Sequence, residues 1–97
     1  MPTYVTLFKL TDQGIKAVKD APRRIEDAVK GMQAGGGKLI DIYAVMGEYD
    51  YVAIGEAPSD EVAVSIALAL GSQGSVRTTT LRAFTREELA SLVKKLP

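Results

Sequence analysis

Residues 38–57, KLIDIYAVMGEYDYVAIGEA, constrain the fold of this chain more than any other stretch. Two runs rich in β-branched and aromatic residues, 38–46 and 50–57, flank a short link, Gly47–Tyr49. A link of that length containing glycine is a hairpin connection, so the runs are expected to pair as adjacent antiparallel strands. Gly47 is the structural turn residue, because it alone in the link takes a positive φ without a Cβ penalty.

Helical segments lie on both sides of this hairpin. TYVTLFKL (3–10) reads as a first strand, broken by the turn-forming TDQG (11–14). Asp20 and Pro22 suit a helix start, and Ile25, Ala28, Val29 and Met32 follow at helical spacing. Gly35-Gly36-Gly37 stops that helix; no Gly-Lys-Ser/Thr follows, so a phosphate loop is not expected. Beyond the hairpin, Pro58-Ser59-Asp60-Glu61 marks a second helix entry with Ser59 as N-cap. Its body, VAVSIALALG, is apolar almost all round and is expected to be buried on more than one side. After GSQGS (71–75), VRTTTLRAF (76–84) reads as a fourth strand. Thr85 and Glu88 then form a capping box ahead of the stripe Leu89, Leu92, Val93 and Leu96. The order predicts an α+β class: a ferredoxin-like βαββαβ fold with an extra C-terminal helix, in a single domain of residues 1–97.

Two helices cover only one face of such a sheet, yet the strands carry apolar residues on both. Strict alternation puts Ile40, Ile42, Ala44 and Met46 on one side of the second strand, and Leu39, Tyr43 and Val45 on the other. A bare face of that composition calls for a lid, so a homodimer with facing sheets, a dimeric α/β-barrel, is expected, with higher oligomers open.

Composition narrows the chemistry. With 46% hydrophobic residues the chain is globular, and 12 basic against 12 acidic residues leave no field favouring nucleic acid or an anionic membrane. The absence of cysteine and histidine removes disulfides, thiolate nucleophiles, imidazole catalysis and the usual zinc sites. No metal and no cofactor are expected. The N-terminus lacks a signal-peptide pattern, and the longest apolar run falls short of the roughly 20 residues that span a bilayer. A cytoplasmic location without membrane contact is the expectation.

Three groups are candidate site residues, each with an ordinary structural alternative. Asp50 can accept hydrogen bonds from a ligand amine and Tyr49 can donate or stack; equally, Asp50 can bond nearby backbone N–H groups and Tyr49 can lean on the hairpin. Arg77 and Thr79 share a face of the last strand, with Arg82 opposite, and an arginine near a dimer cleft can clamp a carboxylate. An ion pair with a neighbour such as Asp41 or Asp50, or a solvated edge, is the alternative. The strand aromatics Tyr4, Phe8, Tyr43 and Tyr51 can line a pocket or simply fill a core or interface. Tyr49, Asp50, Arg77, Thr79 and Tyr43 form the candidate set for a small organic ligand. No catalytic residue is identified.

MGEYDYVAIGEAPSDEVA and SVRTTTLRAFTREEL, with TDQG (11–14) and VKDAPRR (18–24), make the chain resemble the GYD domain family over nearly its whole length. These small bacterial and archaeal proteins are named for the residues that stand here as Gly47, Tyr49 and Asp50. The resemblance implies a dimeric α/β-barrel of ferredoxin-like halves and supplies no activity. The chain is also similar to the effector-binding domain of Lrp/AsnC-type regulators, which shares the Gly-Tyr-Asp turn and an Arg- and Thr-bearing last strand. No helix-turn-helix precedes the first strand, so DNA binding is not expected. The functional expectation is a non-catalytic, small-molecule-binding or oligomerising domain. The alternative is a cofactor-independent enzyme, isomerase- or monooxygenase-like, with Tyr, Asp and Arg at the barrel cleft; whether the protein is an enzyme stays open at this point.

Overall fold

The computed structural model describes residues 1–97 as a mixed α+β fold. Strands β1 (Thr3–Leu10), β2 (Lys38–Ala44), β3 (Tyr51–Glu56) and β4 (Val76–Ala83) pair antiparallel in the order β2-β3-β1-β4. Helices α1 (Asp12–Lys16), α2 (Ala21–Ala34), α3 (Asp60–Ser72) and α4 (Arg86–Lys94) complete the chain. The strand order and the helix connections are consistent with the expected ferredoxin-like plan. No helix is long and apolar enough to cross a membrane.

Local signals explain most element ends. Ser59 accepts the Val62 N–H at 3.3 Å and opens α3, with Asp60 and Glu61 in its first turn. Gly36, at φ +91°, closes α2. At α4, Thr85 Oγ1 accepts the Glu88 N–H at 3.1 Å, and Glu88 Oε1 accepts the Thr85 N–H at 2.8 Å. That backbone N–H holds the Glu88 carboxyl below the ordinary glutamate range, with Arg82 adding to the effect. Because the folded value lies below the unfolded one, the stabilisation is present above about pH 4.3, the ordinary glutamate value, and is lost as pH falls through the folded value. Thr85→Ala should cost about 1 kcal/mol of helix stability. Backbone chemical shifts of α4 should move toward coil in the variant at neutral pH, and in the wild type on acidification.

Two expectations need correction. TDQG is not a plain turn: Thr11 Oγ1 accepts the Gly14 N–H at 3.1 Å and caps α1, and a 3-10 turn over Val18–Asp20 leads on into α2. Strand β2 ends at Ala44 rather than Met46, and it carries a bulge. Leu39 pairs with Gly55 and Asp41 with Ile54, which leaves Ile40 without a partner. A bulge reverses the alternation beyond it, so Leu39, Ile42 and Ala44 share the helix-covered side while Asp41 and Tyr43 take the other. Within the single chain α3 buries Ala63 while Leu68 is 69% exposed, the side expected to meet a partner subunit.

The core is small, centred on Tyr4, Ala57 and Ala63 with Val62 packed against them. The Tyr4 hydroxyl donates to Asp60 Oδ1, and this bond, with burial, raises the phenol above its ordinary pKa. Only six of the 97 residues are buried, and a mostly apolar pocket of about 170 Å³, partly open to solvent, lies between sheet and helices. The radius of gyration, 14.7 Å, exceeds the roughly 12.5 Å of a compact chain this long, in keeping with the exposed stripe Leu89, Leu92 and Val93 on α4 and Leu96 just beyond it.

Candidate functional site

The helices cover the sheet face that carries Tyr4, Thr6 and Phe8 of β1. The opposite face is open, and the strand register fixes its side chains row by row. One row runs Tyr43, Val52, Leu7, Thr79 across the four strands, and the next runs Asp41, Ile54, Val5, Leu81. Four aliphatic residues on the central strands therefore form one apolar block. Its ends are charged: Lys38 pairs with Glu56 at one, and Lys9 pairs with Arg77 at the other. Tyr43, 53% exposed, and Leu81, 48% exposed, stand on the two edge strands.

The five candidate ligand residues are dispersed over this landscape. Tyr43 lies on edge strand β2, whereas Arg77 and Thr79 lie on the opposite edge strand, β4. Three interstrand spacings of about 4.8 Å separate the two. The Tyr43 hydroxyl donates to Asp41 Oδ2 at 2.5 Å, and that bond raises the phenol above its ordinary value. Asp41 Oδ1 also accepts the Ile42 N–H, so both carboxylate oxygens are engaged within β2. Arg77 makes no ion pair with Asp41 or Asp50; the only ion pairs are Lys30–Glu26 and Arg82–Glu88, both at 4.0 Å on the surface. Arg82 lies instead on the helix-covered side, over the rings of Tyr4 and Phe84 at 5.8 and 4.6 Å.

The Gly47-Tyr49-Asp50 turn has a clear backbone role. Gly47 adopts φ +106°, a region that favours glycine. Asp50 binds back into the sheet: its N–H donates to the Phe8 carbonyl at 2.8 Å, and its carbonyl accepts the Val45 N–H at 2.9 Å. Its side-chain Oδ2 accepts the Leu10 N–H at 2.8 Å, beyond the last β1–β3 pair, Phe8 with Tyr51. The carboxylate thus acts as the strand carbonyl that β3 no longer supplies. Asp50→Ala should lower stability by about 1–2 kcal/mol by leaving that N–H unmade, and Asp50→Asn should retain most of the bond through its amide oxygen. Urea unfolding of both variants checks this; equal losses would exclude the hydrogen bond as the cause.

Sequence reasoning missed two contacts on the covered side, Tyr4 with Asp60 and Arg24 with Ser75. Each joins residues more than fifty positions apart, and no local motif marks either pairing.

Comparison with known proteins follows the same lines. Residues 4–93 match the GYD domain. A Thermus thermophilus protein named glutamine synthetase and cystathionine beta-lyase binding protein is 35% identical over 95 residues, covering 97% of this chain and all of the relative. A crystal structure of a chain from T. thermophilus superposes with a TM-score of 0.57 at 23% identity, covering 88% of this chain and 95% of that one, a likeness of fold. With the signature turn, the strand order and the matched length in agreement, the chain belongs to the GYD domain family.

Proposed function

We propose that this protein is a non-catalytic binding subunit that pairs with a second copy through its open sheet face and, as a pair, engages other proteins. The open face carries the proposal, because Val5, Leu7, Val52 and Ile54 form a continuous, half-buried apolar block on the sheet face opposite the one that α2 and α3 cover. Two-fold pairing is favoured by the charges around it. Lys9 and Arg77 stand at the end of the face away from Glu56, and Asp41 lies on the far edge strand. An isologous arrangement can therefore set the basic corner of one copy against acidic residues of the other. The result is the dimeric α/β-barrel.

The relative's name supports partner enzymes as the second class of ligand, since it is called a binding protein for glutamine synthetase and cystathionine beta-lyase. Enzymes of that kind are the partners to try first for this chain. The outer side of α3, with Val64 and Leu68 exposed, and the stripe of α4 remain available for them when the sheets pair. A chain without cysteine suits the reducing cytoplasm where such a partnership would operate. An isomerase- or monooxygenase-like reading has less support, because Asp41 is engaged within β2, Asp50 with the backbone of β1, and Arg77 stands far from Tyr43. Sedimentation equilibrium at micromolar concentration tests the pairing, and co-sedimentation with glutamine synthetase from the same source tests the partner. A monomer in the first experiment would remove the basis of the reading.

A further inference from the structure

The cavity between sheet and helices is independent of that pairing, since it lies on the other side of the sheet. Small residues line it on both the sheet and the helix side. Thr6 and Ala53 lie on its floor, and Ala28 of α2 and Ala63 of α3 belong to its roof. Close packing normally opposes a large side chain to a small one so that layers interdigitate. Small residues on both sides leave room between sheet and helices, and Phe8 and Ile25 contribute apolar walls. The resulting space, about 170 Å³, is similar in size to an engineered apolar cavity of about 150 Å³ that stays dry and takes up benzene.

One end of this cavity is polar. Arg24 of α2 donates to the hydroxyl of Ser75, a buried residue, and Gln73 borders the same end. Arg24 has no carboxylate within ion-pair distance, and its guanidinium keeps donors beyond the one given to Ser75. Glu56 borders the cavity too, beside Ala57.

We propose that this cavity is a binding site for a small aromatic carboxylate, its single ring in the apolar space and its carboxylate at the Arg24–Ser75 end. The ring matches the volume, and an arginine with free donors is the group that recognises a carboxylate. Arg24 is exposed, so a carboxylate at this mouth of the pocket gains from the guanidinium while staying partly hydrated, whereas a neutral ring needs only the walls. The two contributions are therefore separable by experiment.

Phenylacetate, toluene and phenethylamine are the probes, titrated into the intact protein with the isoleucine methyl signals of Ile25 and Ile66 as readout. Phenylacetate is expected to shift both, with Kd at or below about 1 mM; toluene should shift them more weakly and phenethylamine least. Arg24→Gln should raise the phenylacetate Kd about tenfold, the worth of one charge-assisted bond, and leave toluene unchanged. Ala53→Leu should abolish binding of every probe by filling the space, and Ala28→Leu does the same from the helix side should the first variant fold poorly. Absence of shifts with phenylacetate and toluene up to about 10 mM overturns the site. So do shifts confined to Val5 and Ile54 on the open face, or binding that survives both leucine variants. Phenethylamine binding as well as phenylacetate overturns the carboxylate assignment. Sedimentation of the same samples reports pairing separately, so loss of one reading leaves the other standing on its own result.

Discussion

Val52→Glu is expected to abolish the proposed pairing through the open sheet face and leave a folded monomer. Val52 stands on β3, between Leu7 on one neighbouring strand and Tyr43 on the other, in the middle of the open face. In a sheet-to-sheet dimer that position is sealed from water on both copies, and the two-fold axis brings two carboxylates into one apolar layer. An unpaired charge buried at an interface costs roughly 3 kcal/mol or more, which weakens association at least about a hundredfold. In the separated subunit the same glutamate faces solvent, so unfolding curves should change little beyond the loss of dimer linkage. Gln33→Glu makes the same change of charge on an exposed position of α2 and should leave the dimer intact. Sedimentation equilibrium of both variants decides the matter. A Val52→Glu protein that still sediments as a dimer would mean that copies meet elsewhere, and α4 or the outside of α3 would be the next surfaces to test.

How far the sequence disclosed this arrangement depended on whether the controlling interaction was local. The hairpin, the Ser59 cap and the Thr85–Glu88 box all join residues within a few positions, so composition and spacing reveal them. The bulge at Ile40 was not legible. Val, Ile and Leu suit either face of a sheet, and nothing at that position marks the extra residue. One displaced residue then moved Asp41 and Tyr43 onto the open face, where alternation alone had grouped Tyr43 with Leu39. The Asp50 carboxylate illustrates a middle case. Its turn was evident, but its bond to the Leu10 N–H spans forty positions and depends on where β3 stops pairing with β1. The cavity was hidden for the same reason, since Ala28, Ala53 and Ala63 are unremarkable separately and meaningful only when they line one space.

Gly14 offers the largest expected effect on stability. In the sequence it closes TDQG and looks like an ordinary turn glycine. In the structure it is buried in α1 against the loop that precedes β4, and a Cβ there would come within 2.0 Å of the Ser75 carbonyl oxygen. That oxygen is held in place, because it accepts the Thr11 N–H at 3.1 Å while the Thr11 hydroxyl donates to the Gly74 carbonyl at 2.6 Å. Neither side of the contact can yield without breaking these bonds and disturbing the Arg24–Ser75 pair beside the cavity. Gly14→Ala should therefore cost at least about 3 kcal/mol, the upper part of the range for forced overpacking. For a chain of this length that lowers Tm by at least about 12 °C. Gly31 provides the contrast. It sits exposed in α2, where an added Cβ would meet nothing within 4 Å, so Gly31→Ala should raise stability by up to about 1 kcal/mol through helix propensity. Thermal unfolding of the two variants thus sets one substitution against itself at two helical sites. A Gly14→Ala loss below about 1 kcal/mol would mean that α1 can move away from Ser75 freely, and the attachment of α1 to the β4 loop would then have to be discarded.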